Sequence, residues 1–231
     1  MKITKRLEKI ANLVEEGKSV IDIGTDHGLV PLYLAKNEIS NDILATDISK
    51  KSLQKLEDKL DENLKKIIKT KVCDGLDKVE VKENQIAIIA GMGAVTIIEI
   101  LNKNIEKVRK LDYVICEGNI GNEKLRKFLN ENNFYIDKDF LIKDGRKHYD
   151  IIRFKNGKDR KLSLGEIYFG KFIYQDFNQL LKKRLDQIYR KNLKFKENIE
   201  KFSENKEGLD LIEERIKAIE EVKNHEDKRY N

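Results

Sequence analysis

Carboxylates and glycines of this chain gather in four short stretches, each closing an apolar run. Asp22-Ile23-Gly24-Thr25-Asp26-His27-Gly28 follows Val20-Ile21, and Asp47 follows Ile43 to Thr46. Asp74-Gly75 follows Lys71-Val72-Cys73, and Gly91-Met92-Gly93 follows Ile86 to Ala90. Gly24 and Gly28 allow a tight turn and close approach of the backbone to a ligand. A dinucleotide would require Gly-x-Gly-x-x-Gly around its pyrophosphate at a helix N-terminus, but Asp22 and Asp26 would repel that group. Two carboxylates suit a ligand with an ammonium and a sulfonium, which is S-adenosyl-L-methionine. Asp47, about 20 residues past the glycine loop, is placed to accept hydrogen bonds from both ribose hydroxyls. Asp74 is placed beside the adenine.

The elements that must hold these loops are legible from periodicity. Val20 to Ile23, Ile43 to Thr46, Lys71 to Cys73, Ile86 to Ala90 and Tyr113 to Cys116 are short, largely β-branched and closed by Gly or Asp, which predicts buried parallel strands. Leu29 to Lys36, Lys50 to Leu64, Ala94 to Asn102 and Asn122 to Asn132 carry helical spacing, and a further helix over Ile3 to Val14 covers one end of the sheet. Strand and helix alternating through short connections give an open α/β sheet with helices on both faces. Pro31 falls in the first turn of its helix, where its missing N–H costs nothing. Phe134 to Ile142 and Tyr149 to Phe154 are joined only by residues 143–148, too short for a crossover, so they form an antiparallel hairpin at the sheet edge. Past residue 160 no strand is evident. Phe177, Leu181, Leu185, Ile188, Phe195, Ile199 and Phe202, then Leu209, Ile212, Ile216 and Ile219, predict a helical hairpin with a coiled-coil seam and a polar turn at Ser203 to Gly208. The domains are therefore drawn as 1–160 and 161–231. The same stripe would also serve to pack on the first domain.

Composition narrows the class. The 231 residues are 39% hydrophobic and 38% charged, with a net charge of +6. No run approaches the roughly 18 apolar residues of a membrane span, and the first 17 residues lack the apolar block of a signal peptide. Cys73 and Cys116 lie inside apolar runs without zinc-ligand spacing, so they read as core thiols of a cytoplasmic protein, and no metal site is expected. Between Lys155 and Glu200, 12 Lys and Arg stand against six Asp and Glu, enough to hold the whole excess charge. Such a stripe suits a polyanion, and equally a solvated helix face.

Four acidic or glycine loops at successive strand ends, in this order, with a terminal β-hairpin, point to the Rossmann-like seven-stranded sheet of class I S-adenosylmethionine-dependent methyltransferases. More specifically, the chain resembles the bacterial tRNA (adenine(22)-N1)-methyltransferase family. The resemblance rests on Thr4-Lys5-Arg6-Leu7, Asp22 to His27, Ile89-Ala90-Gly91-Met92-Gly93, the Leu125-Arg126 helix, and Gly165 to Gly170 before a helical hairpin, and it spans essentially the whole chain. It implies methyl transfer to N1 of adenine, S-adenosyl-L-methionine as cofactor, and a C-terminal coiled coil that helps hold tRNA. Arg6, Asp22, Gly24, Asp47, Asp74 and Gly75 would belong to the cofactor site, joined by Asp26, Gly28 and Ile48. His27, Met92 and Asn119 would face the base with Gly93, and Gly91 would border both base and cofactor. The family's usual Gln-Pro-Asn is here Glu117-Gly118-Asn119, and its Gly-Met-Gly-Gly is Gly91-Met92-Gly93-Ala94. The loop thus lacks a proline and gains a charge.

On this reading the unprotonated ring nitrogen attacks the methyl group, so no strong base is needed. Positioning and electrostatics supply the acceleration. Glu117 would stabilise positive charge on the base, and Asn119 would bond its N6/N7 edge. His27 would stack on the base or else hold Asp26. Lys182, Lys183, Arg184, Arg190 and Lys191 would meet RNA phosphates. A monomer is expected, although the helical seam would also close between two chains. Two rival readings remain: a methyltransferase for another RNA or a small molecule, and a cofactor-binding RNA module without activity.

Overall fold

Burial on both faces is what the apolar runs require, and they obtain it as strands β1 (Ser19–Ile23), β2 (Ile43–Asp47), β3 (Ile68–Val72), β4 (Gln85–Met92) and β5 (Val114–Gly118). In this computed structural model, which describes residues 3–175, 177, 179–202 and 205–229 (backbone alone at 180 and 227–229), these five strands pair in parallel. The hairpin β6 (Phe134–Asp144) and β7 (Lys147–Asn156) adds an antiparallel edge through β5, giving one seven-stranded sheet in the order β3-β2-β1-β4-β5-β7-β6. Strand order reverses between β1 and β4, so a crevice opens beyond their carboxyl ends. Helices α1 (Lys5–Ala11), α2 (Leu29–Lys36), α3 (Lys50–Glu57), α4 (Leu64–Ile67), α5 (Ala94–Lys103), α6 (Ile105–Val108) and α7 (Asn122–Glu131) flank the sheet. The contacts divide the chain into two units, Met1–Arg160 and Lys161–Asn231.

Three departures from the sequence-based expectation have local causes. The helix expected over Lys50 to Leu64 stops at Glu57, because Asp61 accepts the N–H groups of Asn63 and Leu64 and restarts the chain as α4. Strand β3 begins at Ile68 rather than Lys71. As an edge strand it buries little besides Ile68, so the apolar pattern that marks a central strand is missing. The N-terminal helix is shorter than its apolar stripe and starts after Thr4, whose hydroxyl caps the Leu7 N–H.

Beneath the end of β5 lies a buried ionic cluster. Arg126 of α7 is fully buried and makes two hydrogen bonds to Asp139 of β6, at 2.8 and 2.9 Å, with Asp150 of β7 at 3.5 Å. Burial works against its charge, yet the two carboxylates more than offset this and raise its pKa above the ordinary value. Asp150 in turn accepts a hydrogen bond from the Asn122 amide (3.2 Å), and that same nitrogen donates to the Gly118 carbonyl (2.8 Å).

In the second unit, Ser163 and Glu166 form a capping box that starts α8 (Leu164–Phe169). The long helices α9 (Gln179–Phe202) and α10 (Lys206–Arg229) pack on each other, and α10 also packs on α8. Their seam corrects the one read from periodicity. Leu181, Leu185 and Asn192 of α9 are buried, as are Ile216, Ile219 and Val222 of α10, whereas Phe195 is 46% and Phe202 83% exposed. Asn192 takes a seam place because its amide is satisfied on its own helix, at Ile188 O (2.8 Å). Seam spacing continues from it through half-buried Lys196, one residue past Phe195. Ser203 and Glu204 of the expected turn lie outside the described residues.

Candidate active site

Each loop of the crevice is fixed by the strand that feeds it. After β1, the chain turns back through Gly24, with φ +73°, and Asp26, a non-glycine residue at φ +46°. A side chain at Gly24 would place its Cβ 2.0 Å from the Met92 methyl, and one at Gly28 would strike Leu56. Asp22 is buried and accepts a hydrogen bond from the Thr25 hydroxyl. Burial pushes its pKa up to about 6, the Thr25 hydrogen bond opposing and the charge of Asp47 adding. Asp47, closing β2, accepts the N–H groups of Asp26 (3.1 Å) and Ser49 (2.7 Å), which ties the first two loops together. Next to it Ile48 is 74% exposed. Asp26 and His27 are exposed, with His27 Nε2 3.4 Å from the Asp26 carboxylate. The His27 carbonyl accepts a hydrogen bond from Lys59 (2.8 Å).

The loops after β4 and β5 are laced together. The β4/β5 register slips between Ala90 and Met92, and Gly91, at φ +82°, is the extra residue of the bulge. Its N–H goes to Glu117 Oε2 (3.1 Å). Asn119 donates its backbone N–H to Met92 O (2.7 Å) and its side-chain amide to Gly91 O (2.6 Å), while the Ala94 N–H reaches Ile120 O (3.0 Å). A Cβ at Gly118 would lie 2.3 Å from Asn122 Oδ1, so glycine suits the close approach of that amide.

Glu117 does not occupy the position expected of it. Its carboxylate is fully buried, and Oε2 is engaged by the Arg6 guanidinium as well as by Gly91. Burial raises its pKa above the ordinary value, opposed by Arg6 and the Gly91 N–H, with Asp150 adding to the rise. Arg6 also stacks its guanidinium over the Tyr149 ring, 5.1 Å from the centroid.

Two cavities open along this crevice. One, of about 340 Å³, is lined by Asp47, Ile48, Asp74 and Gly75 with Thr96, Glu99, Lys103 and Asn104 of the α5 end. The other, of about 260 Å³, is lined by Arg6, Asp22, Thr25, Asp26, His27 and Gly91. Gly24 and Met92 border both, so the Met92 side chain is the partition between them. Asp74 is exposed and paired with Lys103 at 2.9 Å, an ammonium that Asp77 shares at 2.5 Å. Gly28 is buried behind the loop against Leu56, and Gly93 starts α5 as its N-cap.

The basic residues of the second unit divide. Lys182 lies with Asp186, Lys223 and Glu226 around a separate cavity of about 250 Å³. Lys183, Arg190 and Lys191 are exposed and Arg184 is half-buried. Sequence reasoning missed Thr25, which holds Asp22, and Lys103, three helical turns away from any motif. It also missed Asn122 as the clamp on Gly118. A polar residue at the first position of α7, directly after the Glu117-Gly118-Asn119 loop, was the available signal. Among the described residues no group of three His, Cys, Asp or Glu could hold a metal ion, and no helix is long and apolar enough to cross a membrane.

A doubly flanked seven-stranded sheet with acidic loops at β1 and β2 is the architecture of class I methyltransferases. Residues 3–152 match the family model described as "Methyltransferase domain", and the chain belongs to that family. Within it, the likeness runs to the tRNA (adenine(22)-N(1))-methyltransferases. The Bacillus subtilis (strain 168) protein of that name is 25% identical over 236 residues, covering 97% of this chain and 98% of its own. The crystal structure of Streptococcus pneumoniae Sp1610 superposes with a TM-score of 0.86 at 26% identity, covering 96% of this chain and 99% of that one. TrmK of M. capricolum, solved with S-adenosyl-homocysteine, gives a TM-score of 0.82 at 25% identity, covering 97% and 99%.

Proposed function

We propose that this chain methylates N1 of adenine 22 in tRNA, giving 1-methyladenosine, with S-adenosyl-L-methionine as methyl donor. The observation that carries the reading is the lacing of Asn119 onto the Gly91-Met92 turn, at the mouth of a crevice whose other loops present Asp22 and Asp47. Residues 1–160 are the methyltransferase domain and residues 161–231 the part that holds RNA. The enzyme acts as a cytoplasmic monomer.

The donor set fits the cofactor. Asp47 keeps acceptor capacity for a ribose diol in the larger cavity, where Ile48, Asp74, Gly75 and Lys103 would hold the adenine. In the smaller cavity Asp22 and Asp26 would hold the ammonium and Arg6 the carboxylate. When bound, S-adenosyl-L-methionine supplies an electrophilic methyl group on its sulfonium. The Met92 methyl occupies the space beside Gly24, so the Met92 side chain would have to turn aside to admit that centre.

N1 lies on the Watson–Crick edge, so the adenine must leave its stack and enter the crevice, at a cost of a few kcal/mol. There Asn119, its amide nitrogen held by Gly91 O, offers Oδ1 to the N6 amino group. His27 stacks on the base from the β1 loop, and Met92 and Gly93 form the floor. Glu117 contributes by position: it fixes Arg6 and the Gly91 turn that carries Asn119.

Purified protein incubated with labelled S-adenosyl-L-methionine and unmodified bulk tRNA is expected to produce 1-methyladenosine on nucleoside analysis. Asn119→Ala is expected to lower the initial rate by about 100-fold, the cost of a misplaced base, with S-adenosylhomocysteine affinity retained. Absence of 1-methyladenosine, with cofactor binding intact, would refute the reading.

A further inference from the structure

Two phenylalanines stand exposed on α9, where a solvated coiled-coil helix has no use for them. Phe195 and Phe202 are seven residues apart and therefore lie on one face of the helix. At about 100° per residue, that face, an arc of about 120°, also carries Lys183, Arg184, Lys191, Lys194 and Lys201. Three carboxylates belong to α9 between residues 181 and 202, Asp186, Glu197 and Glu200, and all fall outside the arc. The polar links to α10, Lys196 to Glu213, Tyr189 to Glu220 and Asp186 to Lys223, lie on the opposite flank. The Lys191 ammonium sits 5.4 Å from the Phe195 ring centroid, so cation and ring share one surface.

We propose that this basic and aromatic face of α9 binds unpaired nucleotides of the RNA substrate, with bases stacked on Phe195 and Phe202 and phosphates met by the surrounding lysines. The proposal rests on the reading of the chain as a tRNA methyltransferase and specifies how the second unit engages that substrate. The occupant follows from charge and from ring chemistry together. A purely electrostatic phosphate track needs no aromatic residue, and an apolar protein partner would not select an arc of cations free of carboxylates. Unstacked bases satisfy both, because every base has a π-face and is flanked by phosphate.

The test is the affinity of the full chain for unmodified tRNA at several salt concentrations, measured for wild type, Phe195→Ala/Phe202→Ala and Lys191→Glu/Lys194→Glu. Stacking contacts predict that the phenylalanine variant binds at least about tenfold more weakly at every salt concentration, with the slope of log K against log[salt] unchanged. The charge variant flattens that slope. A fully paired RNA duplex binds both the wild type and the phenylalanine variant alike. The helical circular-dichroism signal and the thermal midpoint stay at the wild-type value in both variants, which verifies the fold of the second unit, and affinity for S-adenosylhomocysteine is unchanged. A phenylalanine variant that binds tRNA within twofold of wild type overturns the proposal. So does loss of a wild-type dimer in sedimentation without loss of tRNA affinity, which would assign the face to a second copy of the chain. If wild type binds no tRNA at all, the functional reading falls as well, a result distinct from either.

Discussion

Asp47→Ala is expected to weaken S-adenosylhomocysteine binding by at least about 100-fold. The carboxylate ends β2 at the larger cavity and is oriented by the N–H groups of Asp26 and Ser49 before any ligand arrives. Hydrogen bonds from a ribose diol to a charged acceptor contribute about 1.5–3 kcal/mol each, and a factor of ten in affinity is about 1.4 kcal/mol. Two such bonds account for the expected loss. Asp47→Asn keeps one acceptor oxygen and should lose less, about tenfold. Titration calorimetry decides the matter, and an alanine variant that binds within threefold of wild type would remove Asp47 from the cofactor site.

Arg126→Ala is expected to destabilise the first unit by about 3–5 kcal/mol, because Asp139 and Asp150 would be left buried without their cation. For a unit of this size each kcal/mol moves the midpoint by about 2–4 °C, so thermal unfolding should shift by roughly 10 °C. The damage reaches further than stability. Asp150 orients the Asn122 amide that clamps Gly118, and Gly118 immediately precedes Asn119. A midpoint within about 2 °C of wild type would mean that the cluster is not the anchor of the β5 loop.

The sheet was legible because parallel strands buried on both faces read as continuous apolar runs, and β1, β2, β4 and β5 stand within two residues of where those runs lie. Strand β3 was misplaced because an edge strand does not need that pattern. The acidic loops were visible as residue types at strand ends, since Asp22, Asp47 and Gly24 act near their own place in the sequence. The partners of Glu117 were not visible. Arg6 and Gly91 reach it from 111 and 26 residues away, and only the folded chain shows that its charge is spent on them. The same applies to Lys103 on Asp74. In the second unit the apolar periodicity misplaced the seam at three residues. Asn192 is polar yet buried, because its own helix satisfies its amide, and Phe195 and Phe202 are apolar yet exposed.

The most direct measurement compares two transcripts of one tRNA that differ only at nucleotide 22, adenosine in one and guanosine in the other. Each is incubated with the enzyme and labelled S-adenosyl-L-methionine. Methyl incorporation into the adenosine transcript, recovered as 1-methyladenosine, with none into the guanosine transcript, is the predicted result. Equal incorporation into both, or none into either while S-adenosylhomocysteine still binds, would contradict the account.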